Sequence, residues 1–228
     1  MKILISGTSS GLGKFLHQNI ESKKFKRNKD IIKKYKKNWD VIIHCGFYAG
    51  NEKSKLKNNL FWSRKITQLE SKKYIFISSS IVLAKKKNSY AISKIQSEKI
   101  FRKKKNYTII RLGSIIGLPM RKNTIYKILF NEKPIVGLSA NSKYTFVSYS
   151  EILNFIEMCI DKNINGTFNF FRKDLITLKQ ISESLNKHVK FGRINFRCVL
   201  GDNSKTLKYY NLLKQSSLQI LKNTKSPI

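Results

Sequence analysis

Short apolar segments alternate with longer amphipathic segments along the first half of the chain. The predicted strands are KILISG (2–7), VIIHCG (41–46), YIFISS (74–79) and YTIIRLG (107–113). Because these segments are almost continuously apolar and rich in isoleucine, they are typical of strands covered on both faces of a parallel sheet. The predicted helices between and after them cover 12–22, 30–38, 54–70 and 89–104. This order predicts an α/β domain with right-handed crossovers.

The second half of the chain continues the pattern and then becomes polar. We predict a helix at about 149–161, a strand at 167–170 and a helix at 176–186, with Thr177 as a candidate N-cap. The lysine-rich tail from about residue 200 is expected to be loosely ordered. Since no linker rich in proline, glycine or serine is evident, we expect a single globule.

Composition places the chain among globular proteins. Its 228 residues include 41% hydrophobic ones, enough for a substantial core. No apolar run approaches the roughly 18 residues of a membrane span, and the apolar N-terminal stretch is too short for a signal peptide. The three cysteines include no CxxC pair, which favours a reduced, cytoplasmic protein. The three histidines lack metal-ligand spacing, so no metal site is expected.

A formal net charge of +33 is the strongest compositional signal. Such a charge is compatible with nucleic-acid binding. However, lysine outnumbers arginine 38 to 8 and is spread along the chain, which also fits A+T-rich codons. A protein that reads nucleic acid more often uses arginine. We therefore expect no specific nucleic-acid partner, although the charge would attract anionic substrates.

A glycine-rich stretch, SGTSSGLG (6–13), follows the first predicted strand and opens the first helix. In a dinucleotide-binding turn, Gly7 would permit the tight turn, Gly11 would let the backbone approach a diphosphate, and Gly13 would let the helix pack on the strand. The helix N-terminus would add free N–H groups and the positive end of its dipole. The position of the motif favours a dinucleotide site over a simple turn.

The region 23–38 is short for the strand, loop and helix that usually follow such a turn. Only a strand of about four residues (24–27) and one short helix fit. No acid occurs between Ser22 and Lys29 to bind the ribose hydroxyls of NAD, whereas Lys26 and Arg27 could bind the 2′-phosphate of NADP. Since lysine is common throughout, NADP is preferred over NAD but NAD stays open.

The stretch SYAISK (89–94) places Tyr90 and Lys94 on one face of a predicted helix. The strand YIFISSS before it brings serines to the carboxyl edge of the sheet, where ligands bind in open α/β folds. We expect the lysine ammonium and a nicotinamide ring to lower the tyrosine pKa and make a usable general acid. The chain contains a second YxxxK pair, Tyr210 and Lys214, but this pair follows no apolar strand. Context, and not spacing, therefore favours Tyr90.

These motifs together resemble the short-chain dehydrogenase/reductase superfamily, whose members are NAD(P)-binding enzymes with a Rossmann-type doubly wound parallel sheet. The resembling segments are SGTSSGLG, the serine of YIFIS, YAISK, DVIIHCG (40–46), NLFWS (59–63) and RLGSIIG (111–117). The segments FVSYSEILNFIEMCI (146–160), GTFNF and ITLKQISESLN resemble the extended branch, the NAD-dependent epimerase/dehydratase family. That branch acts mostly on nucleotide-linked sugars.

The resemblance implies a role for each matching residue. Tyr90 would be the proton donor and acceptor, Lys94 would bind the nicotinamide ribose and tune the tyrosine, and Ser79 would bind the reacting oxygen. Ser78 and Ser80 are the alternative serines. The candidate cofactor-binding residues are Gly7, Ser10, Gly11, Leu12, Gly13, Lys26, Arg27, Cys45, Gly46, Asn59, Ser78, Tyr90, Lys94, Gly113 and Ile115.

The resulting hypothesis is an NAD(P)-dependent oxidoreductase or epimerase acting on a nucleotide sugar. A keto-sugar reductase is preferred over an epimerase or dehydratase. An epimerase must hold its cofactor tightly through both half-reactions, and the short region 23–38 argues against such tight binding. Residues 1–170 would form the NAD(P)-binding domain and residues 171–228 a small substrate lobe and tail. By resemblance, the protein could pair as a homodimer. The alternative is a catalytically degenerate NAD(P)-sensing or nucleic-acid-binding protein on the same fold.

Overall fold

The computed structural model describes residues 1–27, 31–47 and 52–223, and they confirm the predicted α/β class. The strands are β1 (Ile3–Ser6), β2 (Lys23–Phe25), β3 (Trp39–His44), β4 (Ser71–Ser79), β5 (Tyr107–Leu112), β6 (Ser114–Ile116), β7 (Ile135–Leu138), β8 (Lys143–Tyr144), β9 (Phe146–Ser148), β10 (Gly166–Phe170), β11 (Ile176–Thr177) and β12 (Lys190–Ile194). The helices are α1 (Gly11–Asn19), α2 (Ile31–Lys34), α3 (Glu52–Thr67), α4 (Ser89–Phe101), α5 (Thr124–Phe130), α6 (Tyr149–Asp161), α7 (Leu178–Ser184), α8 (Ser204–Leu207) and α9 (Ser217–Asn223).

The main sheet has six parallel strands in the order β10-β5-β4-β3-β1-β2. The chain moves outward from β1 in both directions, so β1 and β3 flank the point where the strand order reverses. In such sheets a crevice opens at this point, beyond the carboxyl ends of the strands. The sheet is therefore of the Rossmann type, as predicted, and its topology selects the place of the site.

Alternate residues of the central strands face two separate cores. Ile3 and Ile5 belong to a core that includes side chains of α1 and α6. Leu4, between them, belongs to a core that includes Ile66 of α3 and Phe101 of α4. This double burial is the reason that the strands are apolar at nearly every position.

A third core lies in the C-terminal part and draws on two stretches of the chain. It joins residues from Ile116 to Phe146 with residues from Leu178 to Leu221. Three two-stranded ladders frame this part: β6 with β9, β7 with β12, and β8 with β11. The predicted small lobe at 171–228 thus shares its core with residues that precede it. The predicted division at residue 170 stays a proposal.

Within the described residues, the helix predicted at 30–38 is α2 (Ile31–Lys34) alone, and residue 30 lies outside the described residues. After α2, the hydroxyl of Tyr35 accepts a hydrogen bond from the Lys26 amide at 2.8 Å and donates one to the Lys24 carbonyl at 3.1 Å. These two hydrogen bonds tie the chain after α2 to the end of β2.

The expectation of a loosely ordered tail is wrong for residues 201–223. This segment forms α8, a 3-10 turn and α9, and it buries Tyr210, Leu213, Ile220 and Leu221. Because its apolar residues are sparse, its composition did not indicate that contacts with residues far away in the sequence order this segment. The strands between 113 and 148 were also missed, because each is at most four residues long.

Candidate active site

A cleft of about 860 Å³ lies at the carboxyl edge of the main sheet. It is lined by all but one of the predicted cofactor-binding and catalytic residues: Gly7, Ser10, Gly11, Leu12, Gly13, Lys26, Arg27, Cys45, Gly46, Ser78, Ser79, Tyr90, Lys94, Gly113 and Ile115. The exception is Asn59, which is buried in α3 and does not line the cleft. Residues from distant parts of the sequence therefore meet in one place.

The glycine-rich turn leaves no room for side chains where β1 meets α1. A Cβ at Gly7 would lie 2.6 Å from the Gly46 amide nitrogen, and a Cβ at Gly13 would lie 2.3 Å from the Gly7 carbonyl oxygen. Gly11 has a φ of +56°, which other residues rarely adopt. Ser10 is the N-cap of α1, and its side chain makes no capping hydrogen bond. The first N–H groups of α1 are thus available to bind an anion in the cleft.

Basic residues line the cleft beyond β2, at the edge of the main sheet. Lys24, Lys26 and Arg27 all contribute to its wall. The guanidinium of Arg27 lies 5.3 Å from the centre of the Trp62 ring, which supports it from α3. Positive charge therefore lies at the end of the second strand, as the sequence predicts.

The three serines at the end of β4 point to different partners. Ser78 donates to the buried Glu98 carboxylate at 2.7 Å, and the Ser80 hydroxyl lies 3.7 Å from the Cys198 sulfur. Ser79 accepts a hydrogen bond from the Ile81 amide and lines the cleft with Tyr90. Of the three serines, Ser78 and Ser79 line the cleft, and Ser79 is the one that acts on the pKa of Tyr90.

Tyr90 lies in the first turn of α4, which Asn88 caps by accepting a hydrogen bond from the Ala91 amide at 2.9 Å. Burial raises the pKa of Tyr90, and the hydrogen bond from Ser79 and the charge of Arg121 oppose this shift less strongly. Among the protein's own groups burial prevails, while the lowered pKa expected with a bound nicotinamide ring stays a prediction. Desolvation disfavours the tyrosinate more than the neighbouring groups favour it.

Lys94 is buried beneath the tyrosine. Its Nζ donates to the Ile77 carbonyl at 2.8 Å and lies 4.8 Å from the centre of the Phe76 ring and 5.4 Å from that of Phe47. Burial lowers the pKa of Lys94 to about 8. The ammonium thus titrates closer to neutrality than a lysine in water, within reach of the Tyr90 ring at 6.0 Å.

Sequence reasoning missed several residues that line the cleft. Phe47 packs edge-on against Tyr90 with ring centres 4.7 Å apart, and it directly follows the predicted pair Cys45 and Gly46. Its position next to this pair could have indicated that Phe47 lines the cleft. Arg121 and Tyr149 had no such signal, since they reach the cleft only through the fold of the C-terminal part. The Tyr149 hydroxyl donates to the Pro119 carbonyl at 3.1 Å and thereby ties α6 to the segment that carries Arg121.

The second YxxxK pair is excluded by its surroundings. Tyr210 is buried in a core, with its ring centre 5.4 Å from that of Phe170, and it does not line the cleft. Burial raises its pKa. Tyr210 thus fills space between α6 and the main sheet.

Two kinds of feature are absent from the described part of the chain. In the described ranges 1–27, 31–47 and 52–223, no group of three or more His, Cys, Asp or Glu side chains could hold a metal ion. No helix within these ranges is long and apolar enough to cross a bilayer.

Comparison with known proteins gives matches of structure only. No family model matches the sequence, and no curated protein sequence matches it significantly. The fold is similar to that of a mutant UDP-glucuronic acid 4-epimerase from Bacillus cereus, solved with UDP-4-deoxy-4-fluoro-glucuronic acid and NAD. The TM-score is 0.80 at 15% identity, over 99% of this chain and 98% of that chain.

Two more solved structures match over nearly the same length. A dTDP-4-dehydrorhamnose reductase from Bacillus anthracis, solved with NADP, has a TM-score of 0.76 at 16% identity over 98% of both chains. TunA, an NAD-dependent NDP-hexosamine 5,6-dehydratase involved in tunicamycin biosynthesis, has a TM-score of 0.79 at 12% identity, over 98% of this chain and 96% of that chain.

The chain therefore shares its fold, over its whole length, with NAD(P)-dependent enzymes that act on nucleotide sugars. The resemblance to the extended short-chain dehydrogenase/reductase branch is confirmed as a likeness of fold. These structures hold NAD in one case and NADP in another, so the comparison leaves the choice of cofactor open.

Proposed function

We propose that this protein is an NAD(P)-dependent reductase or epimerase of a nucleotide-linked sugar, and that a keto-sugar reductase fits best. The observation that carries the proposal is one cleft that brings together the glycine turn at Gly7–Gly13 and the cluster of Ser79, Tyr90 and Lys94. In the sequence, the 65 residues 14–78 separate these two parts. Each is weak evidence alone, but their meeting is what hydride transfer requires.

The residues present fit a dinucleotide. A Cβ at Gly7 or Gly13 would collide with backbone, and the uncapped start of α1 offers N–H donors for a diphosphate. Lys26 and Arg27 would bind a 2′-phosphate, which favours NADP, while NAD stays the alternative. The residues around Cys45, Gly113 and Ile115 would enclose the nicotinamide end. Asn59, which is buried in α3 outside the cleft, would contribute to binding only indirectly.

The nicotinamide, when bound, would supply a hydride to a sugar carbonyl carbon or, in the oxidising direction, accept one from a sugar alcohol carbon. Tyr90 would give its hydroxyl proton to the carbonyl oxygen, so that a C–H and an O–H bond form together. Ser79 would hold that oxygen. Lys94 would stabilise the resulting tyrosinate through its charge, because the two groups lie on one face of α4.

The substrate side of the cleft carries a further positive charge. Arg121 lies in the segment before α5 and lines the cleft with Met120, Asn123 and Tyr149. A nucleotide sugar is anionic through its diphosphate, and we assign Arg121 to its binding. Among the described residues, none of the C-terminal lobe at 171–228 lines the cleft, so the substrate role of that lobe rests on the sequence alone. The net charge of +33 would raise the local concentration of such a substrate.

Cofactor binding is the first test. Titration with NADPH and NADH, followed by fluorescence, should show binding of at least one, with NADPH tighter. Lys26→Ala should weaken NADPH binding by more than it weakens NADH binding. Failure of both cofactors to bind would reject the enzyme hypothesis.

Turnover is the second test, on a panel of keto nucleotide sugars. Tyr90→Phe should lower kcat by about 10²–10⁴-fold, which is the usual contribution of a positioned general acid, while the cofactor still binds. Tyr210→Phe removes the hydroxyl of the second YxxxK pair and should keep wild-type activity. Cofactor binding without turnover by the wild type would instead support a cofactor-sensing protein.

A further inference from the structure

A buried carboxylate lies beneath the proposed active site. Glu98 is on α4, one turn after Lys94, and only 1% of its surface is exposed. Burying an unpaired carboxylate is strongly unfavourable. Glu98 is fully satisfied, because it accepts hydrogen bonds from Ser78 Oγ at 2.7 Å, from Arg111 Nε and Nη2 at 2.9 and 2.7 Å, and from Arg102 Nη2 at 2.8 Å.

The partners of Glu98 come from three elements. Ser78 is the last residue but one of β4, and Arg111 lies directly opposite it on β5 in the sheet register. Arg102 follows α4 and is 40% exposed, so it closes the cluster toward solvent. One carboxylate therefore joins α4 to the ends of the two strands that lie next to the cleft.

We propose that Glu98 is a positioning residue of this site: its carboxylate holds α4 against β4 and β5, and so holds the Tyr90–Lys94 pair beside the site serine. The inference rests on the proposed function and adds a residue that touches neither cofactor nor substrate. Ser78, which donates to Glu98, is adjacent in sequence to Ser79, and Ser79 lines the cleft with Tyr90 and Lys94.

Glu98 also acts on the charge of Lys94. Burial lowers the pKa of Lys94, and Cys45 and Glu98 oppose the shift. Because burial raises the pKa of the Cys45 thiol to about 12, that thiol carries no charge near neutrality. The Glu98 carboxylate is then the negative charge that opposes the lowering of the Lys94 pKa. The titratable or charged groups around the ammonium in the described residues are His44, Cys45, Tyr90, Glu98 and Arg121.

The test is the titration of Lys94 in Glu98→Gln, measured by NMR of ¹⁵N-lysine in the cofactor-free protein. Lys94→Met identifies the signal. Glu98→Gln keeps the shape but removes the charge, so Lys94 should lose its proton at lower pH, with a pKa shift on the order of one unit. The alkaline limb of kcat/KM for ketone reduction should move the same way, since reduction needs the ammonium.

Glu151→Gln is the matched control. Glu151 is also a buried acid, but it pairs with Arg172 away from α4. This variant should lose stability yet leave the titration of Lys94 unchanged. An unchanged titration in Glu98→Gln, or an equal shift in both variants, would overturn the proposal.

A second variant separates geometry from charge. Ser78→Ala keeps the Glu98 carboxylate and both arginines but removes the hydrogen bond from β4. Because this change is small, the variant should fold even if Glu98→Gln does not. It should lower kcat several-fold with an unchanged Lys94 titration, and unchanged kcat would refute positioning. The NMR titration needs no substrate. If the wild type turns over no sugar but Glu98→Gln still shifts the pKa of Lys94, the proposed function fails, whereas the effect of Glu98 on Lys94 stands.

Discussion

At the scale of single residues, Tyr90 and Lys94 are governed by how deeply they are buried. Sequence spacing and context were enough to select this pair over Tyr210 and Lys214. The direction of the tyrosine pKa could not be predicted in the same way, because desolvation depends on rings such as Phe47 that arrive from another element. Charges near a site can be guessed from sequence, but the loss of water around it cannot.

The buried Lys94 should make stability depend on pH. Its pKa is about 8 in the folded chain and about 10.4 in a free chain. Between these values the unfolded state binds more protons, so this group makes the free energy of unfolding rise with pH, by at most roughly 3 kcal/mol.

Urea unfolding of wild type and Lys94→Met at pH 8 and pH 10 measures the effect. The stability of the variant relative to wild type should be greater at pH 8 than at pH 10. Lys99→Met, on the exposed side of the same helix, should follow wild type at both pH values. A constant difference between wild type and Lys94→Met would contradict the shift.

At the scale of elements, the strands and the glycine turn followed directly from sequence. A strand with two buried faces must be apolar throughout, and a helix that starts against a strand needs glycine at the point of contact. Boundaries were less predictable. The described part of α2 ends at Lys34, and the hydroxyl of Tyr35, the next residue, hydrogen-bonds to the backbone of Lys24 and Lys26. Capping was predictable at Thr177, where the side chain accepts from the Gln180 amide as expected.

Gly13→Ala tests the glycine turn. Its Cβ would lie 2.3 Å from the Gly7 carbonyl oxygen, so backbone must shift. We expect a loss of about 1–3 kcal/mol in the free energy of unfolding and weaker NADPH binding. Gly137→Ala in β7 is the control, because no atom lies within 4 Å of its added Cβ. Equal stability and cofactor affinity of the two variants would show that the turn is not tightly packed.

At the scale of the whole molecule, hydrogen bonds and an ion pair made by residues 172–217 hold the C-terminal segment to the rest of the protein. Arg172, fully buried, donates to the Phe146 and Gln215 carbonyls and pairs with Glu151. Ser217 in α9 binds Asp174 and the Phe146 amide. These contacts order a polar segment that composition alone suggested was loose.

Leu221→Ala tests this role of α9. Leu221 is fully buried in the third core, and its truncation should lower the free energy of unfolding by about 2–5 kcal/mol. Leu212→Ala nearby truncates a side chain that is 45% exposed and should change stability by about 0.5 kcal/mol or less. Chemical denaturation of both variants provides the measurement. A cost at Leu221 no larger than at Leu212 would mean that the segment is dispensable.

The sequence by itself determined the α/β class, the parallel sheet and the glycine turn, and it singled out Tyr90 and Lys94 as the candidate catalytic pair. All of these are encoded by periodicity or spacing within about fifteen residues, where local sterics and burial dominate. Only the tertiary structure brings Ser79 into one cleft with Tyr90, places Arg121 and Tyr149 in the wall of that cleft, and pairs the Glu98 carboxylate with Ser78 and Arg111. These depend on contacts between residues far apart in the chain, and no local pattern records which distant side chain will satisfy a buried polar group.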